Sequence, residues 1–398
     1  MNRRTLLQGM GTTLAFASTS VIPWGPLQAA GTTPDQGEPK GSPQAIRKDA
    51  PLVPVDARVD RITEIYTCLR PFRPAGPRIE TQALGNKLLV HNYGHGGSGW
   101  SLSWGSSRLA LQLLRKSAAA QKRLAVIGCG PMGLTSAILA QRAGLSVTIY
   151  AKELPPQIAS MGATGHWSPD SQFCSTESGA GWTDRWIEMA DFSYRMYQSL
   201  LGLPGDPVEW YYGYKLSSVP FGSVAAHKTT EFAKFNNPNR RYQPIQLDLA
   251  ADAHPFSYPY ARRWQNMLFN INTYARLLLS DFLAGGGTIK VQNFENAEQL
   301  LGLPEQAIIN ATGYGARALF NDMDIIPIRG QTARLVQQPD VNYAIRADDF
   351  FFLPRRDGLV IQYIDRAGSY NNTDDTPDPK ESADAIQQLA NVMNGIQS

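Results

Sequence analysis

Cysteine is scarce in this chain: Cys68, Cys129 and Cys174 are the only three in 398 residues. They are too few and too scattered for a disulfide scaffold or a zinc ribbon. Charge of one sign is also lacking. The 37 basic side chains against 34 acidic ones leave a net charge of +3, too weak for a nucleic-acid footprint. No apolar run reaches the ~20 residues a bilayer-spanning helix needs, and no internal repeat is present. Disordered, collagenous and polytopic membrane classes are excluded. What is there in quantity is turn chemistry, with 35 glycines and 27 prolines. At ~150 residues per domain the length suggests two or three domains. The expectation is a soluble globular enzyme.

The N-terminus reads as an address. Arg3-Arg4 precedes a mildly apolar run from about Gly9 to Ile22, and small residues follow at Gln28-Ala29-Ala30. This pattern resembles a twin-arginine export signal, which carries proteins out already folded. Residues 1–30 are therefore expected to be a signal peptide and 31–50, rich in Gly, Pro, Thr, Gln and Lys, a flexible linker. The expected location is periplasmic or secreted, with the export machinery as a partner and no stable membrane anchor.

Along the remaining chain, alternation predicts a strand over Arg61–Leu69, closed by a proline-stiffened turn at Arg70–Pro74. A short strand at Lys87–His91 runs into a glycine-rich loop, and a helix is expected over roughly Ser106–Ala120. Next comes an apolar strand, Arg123–Ile127, a glycine motif, a helix to Arg142 with a stop at Ala143-Gly144, and a strand Ser146–Tyr150. Residues 171–262 are aromatic-rich with one amphipathic helix, Trp182–Leu201. Further elements are a helix Asn272–Leu283, strands Thr288–Val291, Ala307–Asn310 and Gly330–Val336, a hairpin bent at Arg355–Gly358, and a terminal helix Ser382–Met393.

The motif Gly128-Cys129-Gly130-Pro131-Met132-Gly133 sits between strand and helix, as a dinucleotide-binding turn requires. Gly128 permits the tight turn, Gly130 lets the backbone approach a pyrophosphate, and Gly133 lets helix pack on strand. Free N–H groups at the helix start then face the phosphates. Glu153, 20 residues past Gly133, stands where a ribose-binding acid is expected. The bland alternative is a tight turn in an empty α/β sheet. His91 and His95 are four residues apart, but a run with this many glycines is no helix, so a metal site is not expected. That loop suits close approach of a ligand to backbone, or a plain surface turn. Arg70, beside Pro71, suits bidentate carboxylate recognition as well as an ordinary solvated role. His166 and the run Phe350-Phe351-Phe352 are ambiguous between core and site.

Taken together, several stretches resemble the D-amino-acid oxidase family of FAD enzymes. Arg123–Tyr150 resembles that family's N-terminal FAD unit, and Ala163-Thr164-Gly165-His166-Trp167-Ser168-Pro169 is similar to the loop beside its isoalloxazine. Lys290–Phe294 resembles the segment whose valine, here Val291, touches adenine. Asn310-Ala311-Thr312-Gly313 and Pro327–Gln331 match a later stretch of the FAD domain. Cys68–Pro74 and His91–Gly99 match what is normally the C-terminal end, yet here they precede the glycine motif. The chain therefore looks circularly permuted over residues 51–398.

The resemblance implies an α/β fold: a Rossmann-like FAD-binding domain at 84–170 and 263–319, and an α+β substrate domain with a large mixed sheet at 51–83, 171–262 and 320–398. It implies that Arg70 holds the substrate carboxylate, and that Gly96, Gly97, Ser98, Gly99, Trp100 and Ser101 line the flavin, with the Gly97 carbonyl toward the substrate amine. Cofactor contacts are further implied for Gly128–Gly133, Ser160, Ala163, Thr164, Gly165, Val291, Thr312 and Gly313. The ribose acid falls on Lys152 by strict alignment and on Glu153 one residue later, so both remain candidates. Two tyrosines of the family's active site fall on Ala347 and Phe351.

The implied reaction is hydride transfer from a D-amino acid to the flavin, with dioxygen as oxidant and a 2-oxo acid, ammonia and hydrogen peroxide as products. The apolar Ala347 and Phe351 lead us to expect neutral, apolar substrates over D-aspartate, with Arg355 and Arg356 as the residues able to change that. Two alternatives are a flavin dehydrogenase of another amine or glycine-like substrate, and a non-catalytic FAD-binding protein.

Overall fold

Two sheets built from interleaved stretches of one chain frame the molecule. The structure, a computed structural model, describes residues 52–117, 122–223, 232–235, 246–347, 349–364 and 368–396. The expected leader and linker lie outside the described residues, as does the expected helix end at Ala120. In chain order the elements are β1 (Ile62–Phe72), β2 (Arg78–Leu84), β3 (Lys87–Tyr93), α1 (Gly99–Ser117), β4 (Arg123–Ile127), α2 (Pro131–Arg142) and β5 (Ser146–Ala151). There follow α3 (Thr176–Gln198), β6 (Val208–Ser217), β7 (Leu247–Leu249), β8 (Tyr260–Phe269), α4 (Ile271–Ala284), β9 (Thr288–Val291) and β10 (Ala307–Asn310). The last are α5 (Ala316–Leu319), β11 (Ile326–Leu335), β12 (Tyr343–Ala347), β13 (Phe350–Leu353), β14 (Leu359–Tyr363) and α6 (Pro379–Asn394).

The first sheet has the order β2-β3-β10-β4-β5-β9. Its five strands from β3 to β9 are parallel, and β2 closes one edge antiparallel. Central strands buried on both faces read as apolar runs, which is why Arg123–Ile127 and Ala307–Asn310 were legible. The second sheet has eight strands in the order β1-β11-β14-β13-β12-β6-β8-β7. It is antiparallel except where β12 runs parallel to β6.

Two strands fall across the domain divisions expected from sequence. β2 pairs with β3 in the six-stranded sheet, although all of it but Leu84 lies in the expected 51–83 stretch of the substrate domain. β8 pairs with β6 in the eight-stranded sheet, although most of it lies beyond residue 262.

The helix expected from Ser106 begins at Gly99. Its first two turns, Trp100–Ser107, are wholly buried but carry Ser, Gly and Trp rather than an apolar stripe. Small residues let neighbouring backbones approach: a β-carbon on Gly105 would stand 2.1 Å from the Met189 carbonyl oxygen of α3. Hydrogen bonds satisfy the hydroxyls, with Ser106 Oγ donating to Asn92 Oδ1 at 2.5 Å and Ser107 Oγ 2.8 Å from Thr135 Oγ1. The proline-stiffened turn also starts later than expected, since Arg70, Pro71 and Phe72 remain in β1.

The chain's described beginning lies against its end. Val55 N donates to Met393 Sδ of α6 at 3.1 Å, and the Tyr343 hydroxyl donates to the Val53 carbonyl at 2.7 Å. The start of α6 is fixed by Asp378, whose side chain caps the N–H groups of Lys380 and Glu381.

Candidate active site

A cavity of about 1690 Å³ runs from the carboxyl ends of β4 and β5 to the face of the eight-stranded sheet. Its nucleotide end is the turn from β4 into α2. Gly128 adopts φ +106°, and Gly133 has no room for a side chain, because a β-carbon would stand 2.0 Å from the Gly128 oxygen. At Gly130 the space is open to 3.5 Å, so a ligand can reach the backbone. No side chain caps this helix start, leaving its first N–H groups to a phosphate. Cys129 lines the same wall, and burial pushes its thiol up to about 12, so it stays neutral. Lys152 and Glu153 both line the cavity and pair with each other at 3.5 Å.

A second glycine-rich turn leads from β3 into α1. Its histidines belong to the core. His91 is 2.9 Å from Gln82 Oε1 through Nε2 and 3.1 Å from Asn310 Nδ2 through Nδ1, and His95 Nε2 is 2.7 Å from Ser106 Oγ. Burial lowers both to about 3, first by desolvation. The glycines answer to the protein as much as to a ligand: at Gly96, φ +54°, a β-carbon would overlap the Gln172 carbonyl oxygen. Gly97 N donates to the Ser171 oxygen at 3.0 Å. Gly96, Gly97, Gly99, Trp100 and Ser101 line the cavity. Ser98 does not; its hydroxyl turns back to the His95 carbonyl at 2.7 Å.

The loop 160–165 crosses between the two sheets, and the eight-stranded sheet holds its carbonyls. Thr332 Oγ1 donates to the Gly162 oxygen at 3.1 Å, Arg355 Nη1 to the Ala163 oxygen at 2.8 Å, and Phe269 N to the Gly165 oxygen at 2.7 Å. Thr164 Oγ1 donates to Gln362. Trp100 Nε1 donates to the Ser160 oxygen at 2.9 Å. Ser160, Ala163, Thr164 and Gly165 all line the cavity. Arg355 is itself buried and locked by Asp357, with Nε 2.8 Å from Oδ1. Burial opposes the Asp357 charge, but Arg355, with Arg334 and the Asn272 N–H, holds the carboxyl below the usual range.

Arg70 reaches the cavity from β1 across β11. Its guanidinium lies over Gly330, where a β-carbon would be 2.4 Å from Cζ. Nη1 donates to the Arg329 carbonyl at 3.4 Å, and no carboxylate among the described residues pairs with Arg70. Arg329 is pinned in turn by Glu381 at 2.9 Å, which ties the α6 start to this strand.

Four expected site residues fall outside the cavity lining, and each has a physical reason. Gly133 is a packing glycine and Ser98 a helix start. Val291 is 71% exposed at the sheet edge, and the neighbouring Gln292 lines the cavity instead. Ala347 sits on the far face of its strand, buried in the cluster formed with Ala385, Ile386 and Leu389 of α6. Phe351, Thr312 and Gly313 do line the cavity. Sequence reasoning missed Arg346 and Gln362, which line it, and the part Gly330 plays under Arg70. Strand alternation is the signal that could have found Arg346.

The sequence model of the FAD dependent oxidoreductase family matches residues 123–397. The chain belongs to this family. A D-amino acid oxidase of Dugesia ryukyuensis is 23% identical over 287 residues, covering 69% of this chain and 78% of the relative. A D-amino-acid oxidase of Dictyostelium discoideum is 23% identical over 280 residues, covering 68% and 72%. The crystal structure of glycine oxidase from Geobacillus kaustophilus is similar at a TM-score of 0.48 and 15% identity, covering 69% of this chain and 78% of that one.

As a family member the protein is an oxidoreductase with FAD as cofactor. The cavity fits that group. The uncapped α2 start and open Gly130 suit the pyrophosphate, Lys152, Glu153 and Gln292 the adenosine end, and the braced 160–165 loop with Gly97 and Trp100 the ring system.

Proposed function

We propose that this enzyme oxidises the amine of a D-amino acid, with dioxygen as the final acceptor and a 2-oxo acid, ammonia and hydrogen peroxide as products. The observation that carries the reading is Arg70, a guanidinium with no carboxylate partner among the described residues, laid over Gly330 at the sheet end of a cavity that fits FAD. A planar donor fork takes a carboxylate through two parallel hydrogen bonds and so fixes the position of Cα. Bound FAD supplies the hydride acceptor. The chain's work is positional: Arg70 holds one end of the substrate, and the buried walls around Phe351 and Ile328 favour the neutral amine. No side-chain acid or base is required.

The test is peroxide formation by the holoenzyme with D- and L-amino acids, with FAD identified after denaturation. Arg70→Leu should lower kcat/KM by roughly 30- to several-thousand-fold with FAD content unchanged. Wild-type rates in that variant, or no peroxide from any D-amino acid, would overturn the reading.

Two further parts of the reading concern the chain as a whole. It is circularly permuted relative to its family. This is supported by the contact of Val55 with Met393 and by the family match beginning only at Arg123, after β1–β3 and α1. It is also exported folded by the twin-arginine route, which rests on Arg3-Arg4 and the small-residue run after them.

A further inference from the structure

The expectation of an apolar side-chain pocket rested on Ala347 and Phe351 sharing a wall. They do not. Register pairs Ala347 with Phe350 and Arg346 with Phe351. Side chains alternate along a strand and paired residues share a face. Phe351 pairs on with Gln362, and Gln362 with Thr332. Two and four residues along β11 lie Gly330 and Ile328, and Ile328 pairs with Arg70. Arg346 therefore stands on the same face as Phe351, Gln362 and Arg70, and all four line the cavity.

Arg346 has no counter-ion among the described residues. The guanidinium groups feared to intrude from the hairpin are committed elsewhere: Arg355 to Asp357, and Arg356 to Glu209 at 2.9 Å and Asp206 at 3.2 Å. Asp349, the acid nearest in sequence that lines the cavity, accepts from the Tyr363 hydroxyl at 3.3 Å and forms no ion pair with Arg346. Lys215, opposite Arg346 on β6, adds positive charge rather than removing it.

A second polar group stands beside it. His166 lines the cavity with its ring edge-to-face on Phe351, centroids 4.9 Å apart. Its Nδ1 is buried without a hydrogen-bond partner. Burial and then the Arg346 charge hold the ring neutral, at about 3, so it offers a hydrogen bond and no competing charge. A buried polar atom without a partner points to a ligand that completes it.

The spacing suits one small molecule. From Gly330, over which the Arg70 guanidinium lies, to Arg346 is three strand spacings and two residues, ~16 Å between α-carbons in a flat sheet. An extended arginine reaching inward leaves a gap that a short dicarboxylate can span.

We propose that Arg346, with His166 at its side, receives an anionic group on the substrate side chain, so that the enzyme acts on acidic D-amino acids. This rests on the oxidation of D-amino acids argued above and names the class of side chain. It replaces the neutral preference expected from sequence, since the wall position facing the cavity is Arg346 and not Ala347.

The experiment measures kcat/KM of the holoenzyme for D-aspartate, D-asparagine, D-glutamate, D-glutamine and D-alanine. Each amide matches its acid in shape and lacks only the charge. Wild type should favour an acid over its amide by about tenfold or more, and the better acid reports the length the pocket takes. Arg346→Leu should erase that ratio, and Arg346→Lys should keep part of it. Preference for the amides or D-alanine in wild type, or an unchanged ratio in Arg346→Leu, overturns the proposal while leaving D-amino acid oxidation standing. If no D-amino acid reacts, the broader reading fails, and the side-chain site is judged by titrating glutarate against butyrate through the visible flavin absorbance. Tighter glutarate binding lost in Arg346→Leu supports the site; equal binding of the two acids sinks it.

Discussion

The guanidinium of Arg70 occupies the space that any side chain at position 330 would fill: a β-carbon on Gly330 would lie 2.3 Å from Nη2 and 2.4 Å from Cζ. The two residues sit on neighbouring strands, with Gly330 paired to Cys68, two positions before Arg70. The glycine is a cleared bed for the arginine.

Gly330→Val is therefore expected to behave as a loss of Arg70 function. Valine suits a strand interior, so the sheet should persist, while the guanidinium must leave its place. KM should rise and kcat/KM fall by about tenfold or more, because a displacement of about 1 Å at a positioning group costs on the order of 10²-fold. FAD content, read by absorbance, should match wild type.

At the opposite end of the cavity, Gly133→Ala pushes a methyl group to 2.0 Å from the Gly128 carbonyl oxygen. The turn must open to relieve it, and the uncapped N–H groups of α2 lose their alignment on the pyrophosphate. Equilibrium dialysis should show FAD affinity lowered by about tenfold or more, with the apoprotein still folded by circular dichroism.

Stability should fall with pH in a window set by histidine. His91 and His95 are neutral in the fold down to about 3, whereas an unfolded histidine takes its proton near 6.5. Below about 6.5 the unfolded chain binds more protons, so stability drops as pH falls, by roughly 1.4 kcal/mol per pH unit for each ring. It is fully present above about 6.5. Denaturant titrations between pH 7 and 5 should show this slope, and because burial holds His166 neutral in the same way, His95→Asn should remove about a third of it.

The proposed export route rests on Arg3 and Arg4. Replacing Arg3 and Arg4 by lysine should leave the enzyme active but retained in the cytoplasm, as read by cell fractionation. Unchanged delivery outside the cytoplasm would point to another route.

The nucleotide end was legible because its physics is local. Strand, glycine turn and helix follow one another from Arg123 to Arg142, and each glycine's reason lies within a few residues or in the adjoining strand. The substrate end was less so, because its residues converge from β1, β11, β12 and β13, four strands whose order in the sheet differs from their order in the chain. Arg70 could be named through the family resemblance, but Gly330 beneath it could not. The buried start of α1 was hidden for another reason: Ser103, Ser106 and Ser107 spend their polarity on interior hydrogen bonds, so the segment carries no apolar rhythm. Ala347 and Arg346 differ by one residue, and an alignment without the strand register cannot tell which of them faces the cavity.

That one-residue alternation along β12 and β13 also divides the sheet by selective pressure. Ile345, Ala347, Phe350 and Phe352 are committed to the core against α6, so changing them is felt as lost stability. Arg346 and Phe351 look into the cavity, where the proposed side-chain site lies. Single substitutions at the cavity-facing positions are therefore expected to alter substrate preference with little cost to the packing against α6.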